Sequence, residues 1–224
     1  MGFKVKKEFA VIGLGSFGLG VVDTFLKYNV DVIALDMDEE KIQKISSKVE
    51  FAYCVDTTDE EALANLGIKN VDHVIVGIGD DVEGCIMTVM ALKNIIGVDK
   101  ITVKSGNDKL TTVLKSLGVT DIVSPEKEVG VMVAKRKMHR LVSDFVSMDD
   151  KHSLVQIKID KEKLFNKPLV DLGFRNKFNL NIVAIKKKDK FVIPNATTII
   201  DKDDVLYLIG EDVSIHEFEK YLEN

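Results

Sequence analysis

The chain of 224 residues has room for one large or two small domains, and its 46% of hydrophobic residues favours a packed core over disorder. Its net charge of −5 argues against nucleic-acid binding, because phosphate contacts need an excess of lysine and arginine. Apolar runs stay well short of the roughly 18 residues of a membrane span. The two cysteines, Cys54 and Cys85, lie in apolar runs and are interpreted as buried thiols of a reducing compartment.

The first 124 residues are predicted to alternate short buried strands with helices. The predicted strands are 9–13, 31–36, 51–55, 73–78, 100–104 and 121–123, and the predicted helices are 16–29, 38–47, 59–67, 81–96 and 107–118. Such alternation is typical of a parallel, doubly wound α/β sheet of the Rossmann type.

The pattern changes after residue 124. A helix is predicted at 125–142, a linker at 147–153, strands at 154–159, 204–210 and twice within 179–193 around a polar turn, and a closing helix at 213–223. The sequence therefore predicts two domains: a Rossmann-like doubly wound parallel sheet in residues 1–142, and a smaller α+β ligand domain in residues 150–224.

A glycine loop follows the first predicted strand. Gly13, Gly15 and Gly18 have the spacing G-x-G-x-x-G at the start of a helix, where backbone N–H groups bind a diphosphate. Asp36 ends the second strand, and a carboxylate there accepts hydrogen bonds from ribose hydroxyls and repels a 2′-phosphate. This pattern predicts a site for an ADP-containing nucleotide.

The remaining chain offers no convincing catalytic set. Its four histidines, at 73, 139, 152 and 216, are scattered along the sequence. Asp56 and Thr57 follow the third strand, where they could flank an adenine ring. A nucleotide site without catalytic groups favours a binding module over an enzyme. The alternative is a small NAD-dependent oxidoreductase or an NADH-binding redox sensor.

Several motifs together resemble the regulatory subunits of bacterial Ktr/Trk potassium uptake systems, which have the regulator-of-potassium-conductance (RCK) fold. They are "FAVIGLGSFG", "DVIALDMDEEKI", "DTTDEEALANLGI", "VIVGIGDD", "ITVKSGND", "IVSPEKEVG", "DLGFRNKFNLNIVAIKK" and "PNATTIIDKDDVLYLIG". The resemblance covers nearly the whole chain. It implies a cytoplasmic, non-catalytic subunit on the inner face of the membrane, with homodimers assembled into an octameric ring on a membrane-embedded potassium transporter of the KtrB/TrkH type.

The resemblance also implies ligands and their residues. ATP and ADP compete for one site, and NAD(H) remains open because Trk-type relatives bind it. The implied nucleotide residues are Gly13, Gly15, Ser16, Phe17, Gly18, Asp36, Met37, Asp56, Thr57, Gly79 and Lys104. Glu126 would reach Mg²⁺ or another cation bound with ATP. Serine at position 16 departs from the arginine usual in the family, which reaches the terminal phosphate of ATP.

The C-terminal domain of this family often binds cyclic di-AMP between two subunits, which turns uptake off. The residues that the resemblance assigns to this second ligand are Arg175, Asn181, Ile182 and Pro194. Arg175 would meet a phosphate through charge-assisted hydrogen bonds, and the other three would contact the bases.

Overall fold

A computed structural model of the protein describes residues 7–95, 97–188 and 190–224. The chain forms two compact units that divide between Glu126 and Lys127. Predictions that concern residues 1–6, Ile96 and Asp189 lie outside the described residues. Among the helices that are described, none is long and apolar enough to cross a membrane.

The first unit is built on a parallel sheet of six strands. In chain order they are β1 (Glu8–Ile12), β2 (Asp31–Asp36), β3 (Phe51–Cys54), β4 (His73–Val76), β5 (Ile101–Lys104) and β6 (Asp121–Val123). They lie in the order β3-β2-β1-β4-β5-β6, so the direction of winding reverses between β1 and β4. The predicted doubly wound α/β sheet is confirmed.

The helices of this unit cover the sheet. They are α1 (Ser16–Lys27), α2 (Glu39–Ile45), α3 (Glu60–Asn65), α4 (Val82–Met90) and α5 (Asp108–Ser116). Four of these helices begin after a capping side chain: Asp38, Asp59, Asp81 and Asn107 each accept a hydrogen bond from a backbone N–H in the first turn. Polar residues immediately before the apolar helical pattern therefore explain where the helices start.

The second unit contains an antiparallel sheet of five strands in the order β10-β9-β11-β8-β7. The strands are β7 (Val142–Ser147), β8 (His152–Lys158), β9 (Asn181–Lys187), β10 (Lys190–Val192) and β11 (Val205–Glu211). The helices are α6 (Pro125–Met138), α7 (Leu169–Leu172), α8 (Phe174–Phe178) and α9 (Asp212–Glu223). The sheet and helices enclose one apolar core with Phe145 and Phe218 fully buried, which confirms the predicted smaller α+β domain.

The division between the units lies earlier than the sequence indicates. Residues 147–153 were predicted to be a linker, but Ser147 and Ser153 pair in a hairpin of β7 and β8. Most of α6 also goes with the second unit. The Lys135 ammonium lies 3.2 Å from the Asp212 carboxylate at the start of α9, and the helix ends at Met138 rather than at residue 142.

One of the two cysteines departs from its predicted burial. Cys85 is buried in α4, as expected, and burial raises the pKa of its thiol to about 11. Cys54 is exposed. It lies in β3, the edge strand of the parallel sheet, where the neighbouring strand covers one side only. An apolar sequence around a cysteine therefore does not show whether its thiol is buried.

Candidate functional site

A cleft of about 600 Å³ opens at the carboxyl edge of the parallel sheet. Its walls come from the segments that follow β1, β2, β3 and β4 and from the first turns of α4. Ligands of doubly wound sheets bind at this edge, where the winding direction reverses. Seven of the predicted nucleotide residues line the cleft: Gly13, Gly15, Asp36, Met37, Asp56, Thr57 and Gly79.

Each of the three glycines in the loop lacks a side chain for a different structural reason. Gly13 has φ of +86°, and a side chain there would lie 2.9 Å from the carbonyl carbon of Gly77. A side chain at Gly18 would overlap the carbonyl oxygen of Gly13, so the third glycine lets α1 pack against the loop. At Gly15 the space around the backbone is open. That open backbone is what a phosphate group needs in order to approach the N–H groups.

The amino end of α1 lies beside this opening. Gly15 precedes the helix and offers no capping side chain. The first N–H groups of a helix need acceptors and carry a partial positive charge. An anion at the open glycine would supply the acceptor that aspartate or asparagine supplies at α2, α3, α4 and α5.

Three predicted residues of the loop do not line the cleft. Ser16 is exposed at the first position of α1, and Gly18 is buried beneath the loop. Phe17 is partly buried and packs against the apolar cluster between the sheet and α1, which includes Val11 and Val22. The loop therefore presents backbone rather than these side chains to the cleft.

Asp36 is buried and fixes the glycine loop to the end of β2. Its Oδ2 accepts a hydrogen bond of 2.6 Å from the Leu14 N–H, and its Oδ1 accepts one of 2.9 Å from the Asp38 N–H. The Lys41 ammonium lies 3.2 Å from Oδ2. Lys41 also lines the cleft and was missed by sequence reasoning. The only sequence signal for it is a cation five residues after the acid.

The residues after β3 are held by neighbouring hydroxyls. Asp56 accepts hydrogen bonds from the Thr58 hydroxyl at 2.7 Å and from the Thr58 N–H at 2.9 Å, and these lower the pKa of its carboxyl. The Thr57 hydroxyl is 2.8 Å from that of Thr88 in α4. Both threonines are buried, so the Thr57 hydroxyl is already paired inside the protein. Asp56 keeps an ionised carboxylate at the cleft wall.

Lys104 and Glu126 form an ion pair next to the cleft. The Lys104 Nζ is 2.6 Å from the Glu126 Oε1, and this hydrogen bond lowers the pKa of Glu126. Lys104 does not line the cleft, but a side chain added at Gly79 would lie 3.2 Å from its ammonium group. Lys104 therefore lies immediately behind the wall that Gly79 forms. The family resemblance implies Lys104 near the phosphates and Glu126 at a cation bound with ATP, but it does not predict that Lys104 and Glu126 pair.

A second cavity, of about 520 Å³, lies in the C-terminal unit and brings together all four residues assigned to a second ligand. Arg175, Asn181, Ile182 and Pro194 line it, together with apolar residues that include Phe174 and Leu180. The Arg175 Nε donates a hydrogen bond of 2.8 Å to the Asn181 side-chain carbonyl oxygen. Within the part of the chain that the structure describes, this bond engages the Nε of the guanidinium and leaves its terminal nitrogens to meet an anion.

Comparisons with known proteins match each of the two units to a domain family. A family model described as the TrkA-N domain matches residues 9–125, and one described as the TrkA-C domain matches residues 154–223. The chain is 41% identical to the Ktr system potassium uptake protein C of Bacillus subtilis (strain 168), over 96% of this chain and 97% of that protein. This chain belongs to the Ktr/Trk potassium uptake family. It is also 34% identical to the Ktr system potassium uptake protein A of the same strain, over 98% of each.

Solved structures show the same fold as this Ktr/Trk family member. The crystal structure of the GsuK RCK domain matches with a TM-score of 0.66 at 11% identity, covering 100% of this chain and 49% of that one. A GsuK channel bound to NAD gives a TM-score of 0.65 at 12% identity, covering 100% of this chain and 40% of that one. These matches confirm the RCK-type arrangement of a Rossmann-like sheet followed by a smaller domain.

Proposed function

We propose that this chain is a regulatory subunit of a potassium uptake system, controlled by an adenine nucleotide in the cleft of its first unit. The observation that carries the proposal is the convergence of an open glycine backbone, an uncapped helix and a buried aspartate at one edge of the sheet, in a chain 41% identical to a Ktr protein. The chain catalyses no reaction; its output is a change in the transporter that it contacts.

The cleft suits ATP and ADP in a defined orientation. In this orientation the phosphates lie at Gly13, Gly15 and the first N–H groups of α1, with Gly79 also lining the cleft. The ribose hydroxyls lie at Asp36, where they replace Lys41 on the carboxylate. Residues 37, 56 and 57 line the cleft on the side of β2 and β3, away from the glycine loop's phosphates, and are proposed to border the base.

Glu126 is the proposed ligand of a cation bound with ATP. Its carboxylate is exposed and ionised, and in the structure it pairs with Lys104. A terminal phosphate beside Gly79 would attract the same ammonium. Lys104 would then turn to the phosphate, and the released Glu126 carboxylate would face Mg²⁺, which prefers oxygen ligands. ADP lacks this phosphate, so the rearrangement distinguishes the two nucleotides.

Control of transport is then a shift between two shapes of an assembly. A ligand shifts such an equilibrium only by the difference in its affinity for the two shapes. Following the family resemblance, we place the chain in homodimers of an octameric ring at the cytoplasmic face of the membrane, bound to a membrane-embedded KtrB/TrkH-type subunit. ATP favours the activating shape of the ring, and ADP favours the resting one.

Cyclic di-AMP is the proposed ligand of the second cavity, where it would inhibit uptake. Arg175 offers a guanidinium oriented by Asn181 to a phosphate. Ile182 and Pro194 offer apolar contacts to adenine rings. The large apolar side chain of Ile193, beside this cavity, is 79% exposed, and a second subunit across the ligand would cover it.

A ligand screen by thermal unfolding tests the assignment. A ligand at about a hundred times its Kd adds roughly 2.7 kcal/mol to the free energy of unfolding. ATP, ADP and cyclic di-AMP should each raise the melting temperature of the full chain. NADH is the decisive comparison, because Asp36 suits its adenosine ribose equally well. A larger shift with NADH than with ATP and ADP would replace the ATP/ADP assignment with an NADH-sensing one.

A further inference from the structure

Three side chains that can bind metal come together in the C-terminal unit. His139 follows the end of α6, while His216 and Glu219 lie three residues apart on one face of α9. Each residue offers a ligand atom, and these atoms all lie within 4.8 Å of one another. The cluster belongs to neither of the two cavities described above.

The carboxylate of Glu219 is the buried centre of this cluster. Its side chain is 5% exposed, and its Oε1 accepts a hydrogen bond of 2.9 Å from the Leu141 N–H. Its Oε2 lies 2.5 Å from the Nδ1 of His139 and 3.9 Å from the Nδ1 of His216. One oxygen is thus fixed by the backbone, and the other faces two imidazole nitrogens.

The two imidazoles differ in a way that suits an open metal site. His139 is largely buried, and its ring stacks on Phe145 at 5.7 Å between centroids. His216 is about half exposed and meets the His139 ring edge-on at 6.3 Å. Packing therefore fixes one imidazole, while the other lies at the surface where an ion can enter and water can complete its coordination.

The geometry points to a binding site for a divalent first-row transition metal, of the Zn²⁺ type, formed by His139, His216 and Glu219. Two imidazoles and one carboxylate favour such an ion over Mg²⁺ or Ca²⁺, which prefer oxygen ligands throughout. In such a site the His139 Nδ1 binds the metal in place of its hydrogen bond to Glu219. The Leu141 N–H keeps the carboxylate oriented, as hydrogen bonds to metal ligands commonly do.

The two contacts of Glu219 need only small movements to hold a metal ion. Zn²⁺ holds nitrogen and oxygen ligands at about 2.0–2.2 Å, which separates ligand atoms in a tetrahedral site by about 3.4 Å. The two observed separations from Glu219 Oε2, 2.5 Å and 3.9 Å, lie on either side of that value. Bound metal would connect the segment after α6 to α9, and so tie the two ends of the C-terminal unit together.

Metal titration of the full chain tests the site. The protein is stripped with a chelator, kept free of nucleotide, and titrated with Zn²⁺ by calorimetry and with Co²⁺ by visible absorption. We expect one high-affinity ion per chain and Co²⁺ bands typical of nitrogen and oxygen ligands. His216→Ala should lower the affinity at least about tenfold, as losses around metal sites commonly do. This variant is chosen because His216 is exposed, so the fold should survive.

Two control variants separate the site from other histidines and from the nucleotide cation. His152→Ala removes an exposed imidazole of the same unit that hydrogen-bonds to Asp149, and Glu126→Gln alters the cation ligand proposed for ATP. Both should bind the metal as the unchanged chain does. The assignment is overturned by the absence of stoichiometric binding, by equal affinity in His216→Ala, or by an equal loss in either control.

Discussion

Asp36 holds the glycine loop in the fold and is also the residue proposed to bind the ribose. Its carboxylate accepts the Leu14 N–H from the glycine loop and the Asp38 N–H at the start of α2. Lys41 completes the pairing and neutralises the charge at the cleft. A ribose that binds here must displace a surface ammonium group but need not disturb the buried hydrogen bonds. In the proposed mode of binding, the loop therefore keeps its conformation when the nucleotide binds.

The first prediction concerns Asp36→Ala. Losing hydrogen bonds to a charged group should cost about 1.5–3 kcal/mol of binding free energy, or roughly 10- to 150-fold in ADP affinity. Calorimetry measures the affinity, and thermal unfolding shows whether the loop survives the loss of the Leu14 contact. Asp23→Ala is the control, since Asp23 is an exposed carboxylate of the same unit paired with Lys48. Unchanged ADP affinity in Asp36→Ala would contradict the ribose assignment.

Ser16 carries the second prediction. It is exposed at the first position of α1, beside the open backbone of Gly15. A serine cannot supply a cation to a third phosphate, whereas arginine can, and charge-assisted contacts are roughly twice as strong as neutral ones. Ser16→Arg should raise the ratio of ATP to ADP affinity by about tenfold, or 1.4 kcal/mol.

Titration with both nucleotides, with and without Mg²⁺, measures this ratio. Ser16→Gln is the matched control because it adds a long polar side chain without the charge. If Ser16→Gln changes the ratio as much as Ser16→Arg does, length rather than charge is responsible. An unchanged ratio in Ser16→Arg would show that position 16 does not reach the terminal phosphate.

At the scale of elements, the element that carries a cysteine and its place in the fold decide whether the thiol is buried. Cys54 and Cys85 both lie in apolar runs, yet one is in the edge strand β3 and the other inside α4. Burial raises the pKa of Cys85 to about 11. Because the thiolate is the reactive form, Cys85 is protected both by burial and by its protonation at neutral pH.

The third prediction follows from this difference. With Ellman's reagent at pH 8, the folded chain should show one fast thiol, and Cys54→Ser should remove it. At that pH only about one Cys85 thiol in a thousand is ionised when its pKa is about 11. The unfolded chain should show two fast thiols. Two fast thiols in the folded protein would contradict the burial of Cys85.

Helix α6 carries the fourth prediction. It contributes Lys135 to an ion pair with Asp212, and β7, which follows it, contributes the fully buried Phe145. A fragment of residues 127–224 should therefore melt at a higher temperature than one of residues 148–224, which lacks both elements. Circular dichroism on heating measures the difference. Equal melting temperatures would mean that the C-terminal unit does not need α6 or β7.

The sequence predicts local features better than contacts between distant residues. The spacing of Gly13, Gly15 and Gly18 predicts the turn between β1 and α1 because local geometry limits the side chains there: Gly13 has φ of +86°, and a side chain at Gly18 would overlap the carbonyl oxygen of Gly13. In the pairs Lys104–Glu126 and His139–Glu219, the two partners lie far from each other along the chain. No rule of sequence spacing predicts that such residues meet. The sequence predicts the boundary between the two units too late for a related reason: the polar residues 147–153 suit a hairpin turn as well as a linker.

For the whole molecule, the proposed function assigns a separate ligand to each of the two cavities. The first lies at the switch point of a parallel sheet, and the second lies beside β9 in the antiparallel unit. If ATP favours the active shape of the assembly and cyclic di-AMP the inactive one, each ligand must weaken the binding of the other. Linkage requires the two factors to be equal, because both measure the same coupling free energy.

The fifth prediction tests that coupling through Arg175, whose guanidinium is oriented by Asn181 at the second cavity. Arg175→Ala should lower cyclic di-AMP affinity by roughly tenfold or more, since charge-assisted hydrogen bonds contribute about 1.5–3 kcal/mol. It should leave ATP affinity unchanged when cyclic di-AMP is absent.

In the unchanged chain, saturating cyclic di-AMP should weaken ATP binding by the factor with which ATP weakens cyclic di-AMP binding. Arg140→Ala, which removes an exposed arginine of the same unit, should preserve both affinities and their coupling. Tight binding of cyclic di-AMP with no effect on ATP affinity would show two independent sites, and the inhibitory role proposed for the second cavity would then be wrong.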